Sequence, residues 1–196
     1  MIKAILFDAD GVVIKARSRF FSDRFAEKQG VSVDEVVPFF KKEMRLAFTN
    51  KADIKESLKV YLPKWNWSAS VDDFLAYWFK EESPRDEEVL RLIDSLRLQG
   101  IKCYLATDRE VYWAKYLVEE VGLKDSFDGF MFSCEVGHEK HTSEYFKEVL
   151  QRLGLSAEEV MYWDDDQKNV DAAKEVGIDA RFYTGQGELN SLRFGM

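Results

Sequence analysis

Histidine is nearly absent from this chain: two residues, His138 and His141, among 196. A histidine proton relay or an imidazole-based zinc site lacks ligands from the start, and this isolated pair reads as loop residues. Cysteine is equally scarce, with Cys103 and Cys134 on separate expected elements. That excludes a disulfide framework and a cysteine metal cluster, and it fits reduced thiols and a cytoplasmic setting. Three prolines supply no Pro-rich linker. No apolar run reaches the length of a membrane-spanning helix, and the N-terminal run is too short for a signal peptide. Basic charge is in deficit too, with 28 Lys and Arg against 36 Asp and Glu and a net of −8. Nucleic acid and anionic membrane both demand basic surface, so neither is expected as a partner.

What the chain does have is core-forming sequence, with 46% hydrophobic residues. That suits one domain with a sizeable core plus an insert. Ile2, Ala4, Ile5, Leu6 and Phe7 leave almost no polar face, which predicts a buried parallel strand. Between 15 and 82 the pattern is helical. Phe20, Phe21, Phe25 and Ala26 are expected on one face of a first helix, and Ser32-Val33-Asp34-Glu35 has capping-box form. Pro38 should kink or restart the second helix, Ile54, Leu58 and Tyr61 suggest a third, and Ser70 caps a fourth. Ser83-Pro84 reads as a further N-cap with proline at the first helical position. From there strands at 101–106, 129–133, 160–163 and 180–183 alternate with helices at 111–120, 143–153 and 169–176. Such alternation implies a parallel sheet with right-handed crossovers. The first crossover runs from Gly11 to Gly100, far longer than the dozen or so residues a crossover needs. The surplus predicts a helical domain, 15–82, inserted into a core made of 1–14 plus 83–196.

The C-terminal ends of buried parallel strands are where such sheets bind ligands. Asp8 falls at the first of these ends, with Asp10 two residues on and Gly11 allowing the turn. Thr107-Asp108 ends the second strand, Lys140 precedes the helix after the third, and Asp164-Asp165-Asp166 ends the fourth, followed by Asn169. Several carboxylates crowded together resist ionising unless a cation joins them. All-oxygen ligands select a hard cation, and Mg2+ is the natural choice.

Asp8-Ala9-Asp10-Gly11, Thr107, Lys140 and Asp164-Asp165 match, in order, the four motifs of the haloacid dehalogenase-like hydrolase superfamily, which the chain resembles over essentially its whole length. The resemblance implies an α/β fold: a Rossmann-like three-layer α/β/α core with a parallel sheet and an inserted all-helical cap. It implies Asp8 as the nucleophile that forms an aspartyl-phosphate, and Asp10 as general acid and then base. It implies metal ligation by Asp8, the Asp10 backbone carbonyl and Asp165, with Asp164 or Asn169 in support. Thr107 and the amide at Asp108 would hold phosphate oxygens, and Lys140 would offset charge on Asp8 and the phosphoryl group. An aspartate at position 10 favours phosphatases and phosphomutases over dehalogenases, which lack a carboxylate there. Lys140-His141 replaces the frequent Lys-Pro, a third acid follows Asp164-Asp165, and Lys15, Arg17 and Arg19 stand where relatives often carry an aspartate.

The expected function is a Mg2+-dependent phosphatase acting on a small phosphomonoester. Leu62-Pro63-Lys64-Trp65 and Tyr77-Trp78-Phe79 resemble bacterial phosphatases of sugar phosphates such as glucose 1-phosphate. The alternatives are a phosphomutase of the same superfamily and a non-catalytic phosphometabolite-binding protein. Trp65, Trp67, Tyr77 and Trp78 are expected to form the core of the insert before any sugar platform, and Phe20, Phe21 and Phe25 the seam between insert and core.

Overall fold

The computed structural model describes residues 1–185. Five strands, β1 (Ala4–Phe7), β2 (Lys102–Thr107), β3 (Gly129–Phe132), β4 (Val160–Asp164) and β5 (Asp179–Phe182), form one sheet in the order β3-β2-β1-β4-β5. Every pairing is parallel; Ala4 lies opposite Lys102 on one side and Val160 on the other. β1 is central, and the chain leaves it toward β2 but later returns on its opposite flank as β4. The strand order thus reverses between β1 and β4, and the crevice at such a switch point is the ligand site of open α/β sheets.

Period-two alternation divides β1 between two cores. Ile5 and Phe7 face one apolar cluster, Ala4 and Leu6 the other, and all four are fully buried. Helices cover both faces: α6 (Glu87–Leu98), α7 (Val111–Glu119), α8 (Ser133–Val136), α9 (Ser143–Leu153) and α10 (Gln167–Glu175).

The stretch between β1 and β2 is helical, as its spacing predicts: α1 (Phe21–Gln29), α2 (Val33–Pro38), α3 (Met44–Phe48), α4 (Ile54–Tyr61) and α5 (Val71–Glu82). Ser32 and Ser70 both form capping boxes. Pro38 does not break its helix but is followed by a π-helical turn, Phe39–Glu43, closed by a bond from the Met44 amide to the Phe39 carbonyl. Trp65 and Trp78 are buried in this insert with Phe25, Phe39 and Phe74, and the Trp65 indole donates to the Glu35 carbonyl at 3.1 Å. The aromatic cluster is therefore core. Phe21 and Phe25 join it, but Phe20 precedes α1 with 79% of its surface exposed. Trp113 of α7 ties the insert to the sheet, with its ring centroid 4.9 Å from that of Trp78 and 5.1 Å from that of Phe79.

One expected cap is displaced. Asp86, not Ser83, caps α6, accepting from the Glu88 and Val89 amides at 3.0 and 3.2 Å. The reason lies in tertiary pairing. Lys15 donates to the Pro84 carbonyl at 2.8 Å and Asp86 to the Val13 carbonyl at 2.7 Å, so the two chain segments joining insert and sheet run antiparallel beside each other. Pro84 and Arg85 are held extended by that pairing and cannot open a helix. No helix among the described residues is long and apolar enough to cross a membrane.

Candidate active site

The residues singled out at strand ends converge. Lys140 is 3% exposed, and its ammonium donates to the Asp8 carboxylate and to Asp164 Oδ2, the latter at 2.8 Å. Burial alone would favour neutral lysine, but Asp8, Asp164 and Asp108 outweigh it and hold the Lys140 pKa above its ordinary value. Lys140 is a fixed cation. Asp8 is 4% exposed; burial pushes its pKa well up, Lys140 opposes that shift, and Asp164 and Asp10 reinforce it.

Asp164 is fully buried and completely engaged. Besides Lys140 it accepts from the Tyr162 hydroxyl, from Asn169 Nδ2 at 3.0 Å and from the Asp166 amide at 2.7 Å. Tyr162 and Asp164 lie two apart on β4 and share a face, so the strand itself delivers the pair. Both of the supporting residues expected here, Asp164 and Asn169, are present in one network. Asp166 caps α10 through the Lys168 amide at 2.9 Å.

Asp8, Asp164 and Asp165 each bring a carboxylate oxygen within 4.8 Å of one another. Asp165 is exposed, and burial of part of its surface, with Asp164 beside it, pushes its pKa up to about 6. Gly11, at φ +75°, makes room for it: a Cβ there would stand 1.9 Å from Asp165 Oδ2. The acids Asp8, Asp10, Asp164 and Asp165 outnumber the cations Lys140 and Arg109 among them. Hard oxygen donors, excess negative charge and a glycine cradle at the exposed carboxylate all fit a divalent cation of the Mg2+ type.

The Asp10 carboxylate stands apart from this cluster. It is 57% exposed and accepts from Arg109 Nη2 at 2.5 Å. Nothing in the sequence singled out Arg109, yet it is 4% exposed and central. Its amide is bonded to Ser133 Oγ at 3.1 Å, its Nη1 to the Asp108 carbonyl at 2.7 Å, and its guanidinium lies 4.2 Å from the Trp113 ring centroid. Burial works against its charge, and Asp10, Asp8 and Asp108 more than offset that. Trp113 lies four residues on, but Arg109 precedes the N-cap Glu110 of α7, so helical spacing gives no signal that the guanidinium folds onto that ring.

Thr107 is 1% exposed, and no group among the described residues hydrogen-bonds its hydroxyl. Asp108 Oδ1 accepts from the Lys140 amide at 3.0 Å, which ties the end of β2 to the lysine loop; burial raises the Asp108 pKa. His138 and His141 are exposed, and neither belongs to a metal-holding cluster among the described residues. Cys103 and Cys134 are buried free thiols, with burial pushing them up to about 12 and about 11; they are inert.

A family model described as haloacid dehalogenase-like hydrolase matches residues 2–177. A phosphorylated carbohydrates phosphatase of Thermotoga maritima is 29% identical, the alignment covering 99% of this chain and 88% of the relative. A glyceraldehyde 3-phosphate phosphatase of Methanocaldococcus jannaschii is also 29% identical, with 91% and 83% covered. Among solved structures, a HAD family enzyme of Bacteroides thetaiotaomicron in its magnesium complex superposes with a TM-score of 0.79 at 21% identity, covering 93% of each chain. At that identity the likeness speaks for the fold.

Proposed function

Since the chain belongs to the haloacid dehalogenase-like hydrolases, we propose that it is a Mg2+-dependent phosphatase that hydrolyses a small phosphomonoester through an aspartyl-phosphate on Asp8. The observation that carries this reading is the junction of Asp8, Lys140 and Asp165 at the switch point of the sheet, with the exposed Asp10 carboxylate beside them.

Asp8 attacks phosphorus and the ester oxygen departs, taking a proton from Asp10. A water molecule then gives a proton to Asp10 and attacks the same phosphorus, releasing inorganic phosphate and restoring the Asp8 carboxylate. A carboxylate nucleophile divides one difficult displacement into two easier ones. Lys140, held charged, offsets the negative charge on Asp8 and the phosphoryl oxygens, while Thr107 offers its free hydroxyl and Asp108 its amide to those oxygens. Asp164 acts through Lys140, fixing the ammonium beside Asp8. Arg109 holds the Asp10 carboxylate at the mouth of the site. Asp8, Asp165 and the Asp10 backbone carbonyl would hold Mg2+, which when bound supplies charge neutralisation at the phosphoryl group.

In this reading residues 15–82 are a cap over the core formed by 1–14 plus 83–196, and the enzyme works in the cytoplasm. The names of the Thermotoga and Methanocaldococcus relatives support a phosphorylated carbohydrate as one substrate class to test. The test is phosphate release by the purified protein with Mg2+ from a panel of phosphomonoesters including p-nitrophenyl phosphate and sugar monophosphates. Turnover should disappear in Asp8→Asn. A sugar monophosphate should yield inorganic phosphate; an isomer instead would identify a phosphomutase. Folded protein that releases phosphate from none of the panel refutes the reading.

A further inference from the structure

We propose that the leaving alcohol of the substrate is an apolar ring or branched chain, seated in an aromatic cavity between the insert and the sheet. This rests on the phosphatase reading above and narrows it. The cavity, about 310 Å3, opens beside Asp10 and Arg109 and runs up into the insert. Its walls are Phe20, Phe21, Phe40, Met44, Phe48 and Trp78, and Trp113 closes it on the side of the sheet. At the ~30 Å3 that a water occupies in the liquid, that space takes about ten non-hydrogen atoms, the size of a substituted ring.

Four of its lining residues are polar: Asp10, Arg109, Glu82 and Ser22. Asp10 is bonded to Arg109 through Oδ1, and Glu82 is paired with Arg24 through Oε1. Ser22 is the remaining polar lining residue. A second cavity, also about 310 Å3, shares Asp10, Phe20, Glu82 and Trp113 but turns toward Gly11 and Asp165, with Lys15, Arg17 and Arg19 at its mouth. Asp10 therefore stands between a charged chamber that reaches the carboxylate cluster and an aromatic one. A phosphoryl group at Asp8 belongs to the charged side. The ester oxygen, protonated by Asp10, lies at the boundary, and the alcohol passes to the aromatic side.

A sugar ring in that chamber would lay most of its hydroxyls against phenyl, indole and thioether walls that offer no partner, and unpaired buried hydroxyls weaken binding. The same ring without hydroxyls gains from every carbon removed from water.

The test compares kcat/KM, with Mg2+, for cyclohexylmethyl phosphate and glucose 6-phosphate. Both are primary esters on six-membered rings, so their intrinsic reactivities are close. The cavity predicts a ratio of about tenfold or more in favour of cyclohexylmethyl phosphate. Phe20→Ala and Phe48→Ala should each lower that ratio by about threefold or more, whereas a general loss of activity would depress both substrates alike. Phe20 is 79% exposed, so its replacement leaves the folded core untouched. A ratio of one or less, or a ratio that neither variant moves, overturns the cavity assignment while the phosphatase reading stands. No phosphate from either ester or from p-nitrophenyl phosphate overturns both.

Discussion

Lys140→Met removes the one ammonium that joins Asp8 to Asp164. The side chains of all three residues are at most 6% exposed, so the deletion leaves carboxylate charge in a nearly dry pocket. Breaking a buried ion pair by removing one partner costs about 3–5 kcal/mol. Asp164 keeps its bonds from Tyr162, Asn169 and the Asp166 amide, so the loss falls mainly on Asp8. Burial already raises the Asp8 pKa, and the variant deletes the cation that opposes that rise. Protonating a carboxyl of ordinary pKa ~3.9 at pH 7 costs roughly 4 kcal/mol, at ~1.36 kcal/mol per unit, which limits the damage to the same range. The sign follows from linkage. A carboxyl whose folded pKa lies above its unfolded value binds more protons in the native state between the two, so stability falls as pH rises through that window. The deficit of Lys140→Met relative to wild type should thus be smallest near pH 4–5 and approach about 4 kcal/mol by about pH 7.5. Urea unfolding at both pH values, with EDTA to exclude a substitute cation, reads the stability. With Mg2+ restored, kcat should drop about 10²–10³-fold or more, the scale of losing a group that stabilises transition-state charge. A pH-independent deficit under about 1 kcal/mol together with a kcat loss under threefold would refute Lys140 as the counter-ion of Asp8.

Arg109→Ala should lower kcat about 10–100-fold, because it releases Asp10 from its hold; unchanged kcat on the same substrate excludes the positioning role. Gly11→Ala forces a side chain into a φ of +75° and onto Asp165 Oδ2. The Mg2+ concentration for half-maximal activity should rise about tenfold or more, and an unshifted metal titration would show that Asp165 is not a ligand. Glu110 is buried at the start of α7, and burial, only partly countered by the Tyr112 and Trp113 amides it accepts from, pushes it up to about 7. Its folded pKa exceeds its unfolded one, so it draws stability down between about pH 4.5 and 7, by about 3 kcal/mol in all. Glu110→Gln should therefore flatten the urea midpoint between about pH 5 and 8, and pH curves parallel to wild type would contradict the burial argument.

How much of this was legible in the sequence depends on which force decides each feature. β1 and β4 are runs whose burial demands apolar residues throughout, so where polarity returns, at Asp8 and Asp164, the strand must end and its chemistry must emerge. Those positions could be read directly. Arg109 could not, since an arginine after Thr107-Asp108 looks the same whether it folds inward or faces water. Its fate is set by Trp113, Ser133 and Asp10, which come together only in the folded chain. Ser83-Pro84 misled for a related reason. Locally it is a sound helix start, but backbone pairing with Val13 and Lys15 claims the segment, and Asp86 takes over as the cap. Phe20 carries the same apolar signal as Phe21, yet it sits before the helix begins, where periodicity no longer fixes a face.

The turn after β1 joins these observations. The Ala9 carbonyl accepts from the Val12, Val13 and Ile14 amides at 3.3, 2.9 and 2.7 Å, and the Gly11 amide returns to the Ile14 carbonyl at 2.9 Å. Asp10 is thus held on a single tight loop. Ile14, the last residue of that loop, bridges to Arg85 on the returning segment of the insert. The loop bearing the proposed proton donor therefore also receives both chain segments that carry the aromatic chamber. Arg109 reaches the same carboxylate from the sheet side and rests on Trp113, whose ring packs against Trp78 of the insert. Asp10 is consequently braced from the core and from the insert at once. A substrate alcohol that fills the chamber would bear on the same aromatic contacts that set Arg109, and through it the Asp10 carboxylate. Proton delivery and recognition of the alcohol would share one mechanical frame, whereas Asp8, the proposed nucleophile, and Lys140 lie at the end of β1 and on the loop before α9, which the insert does not build.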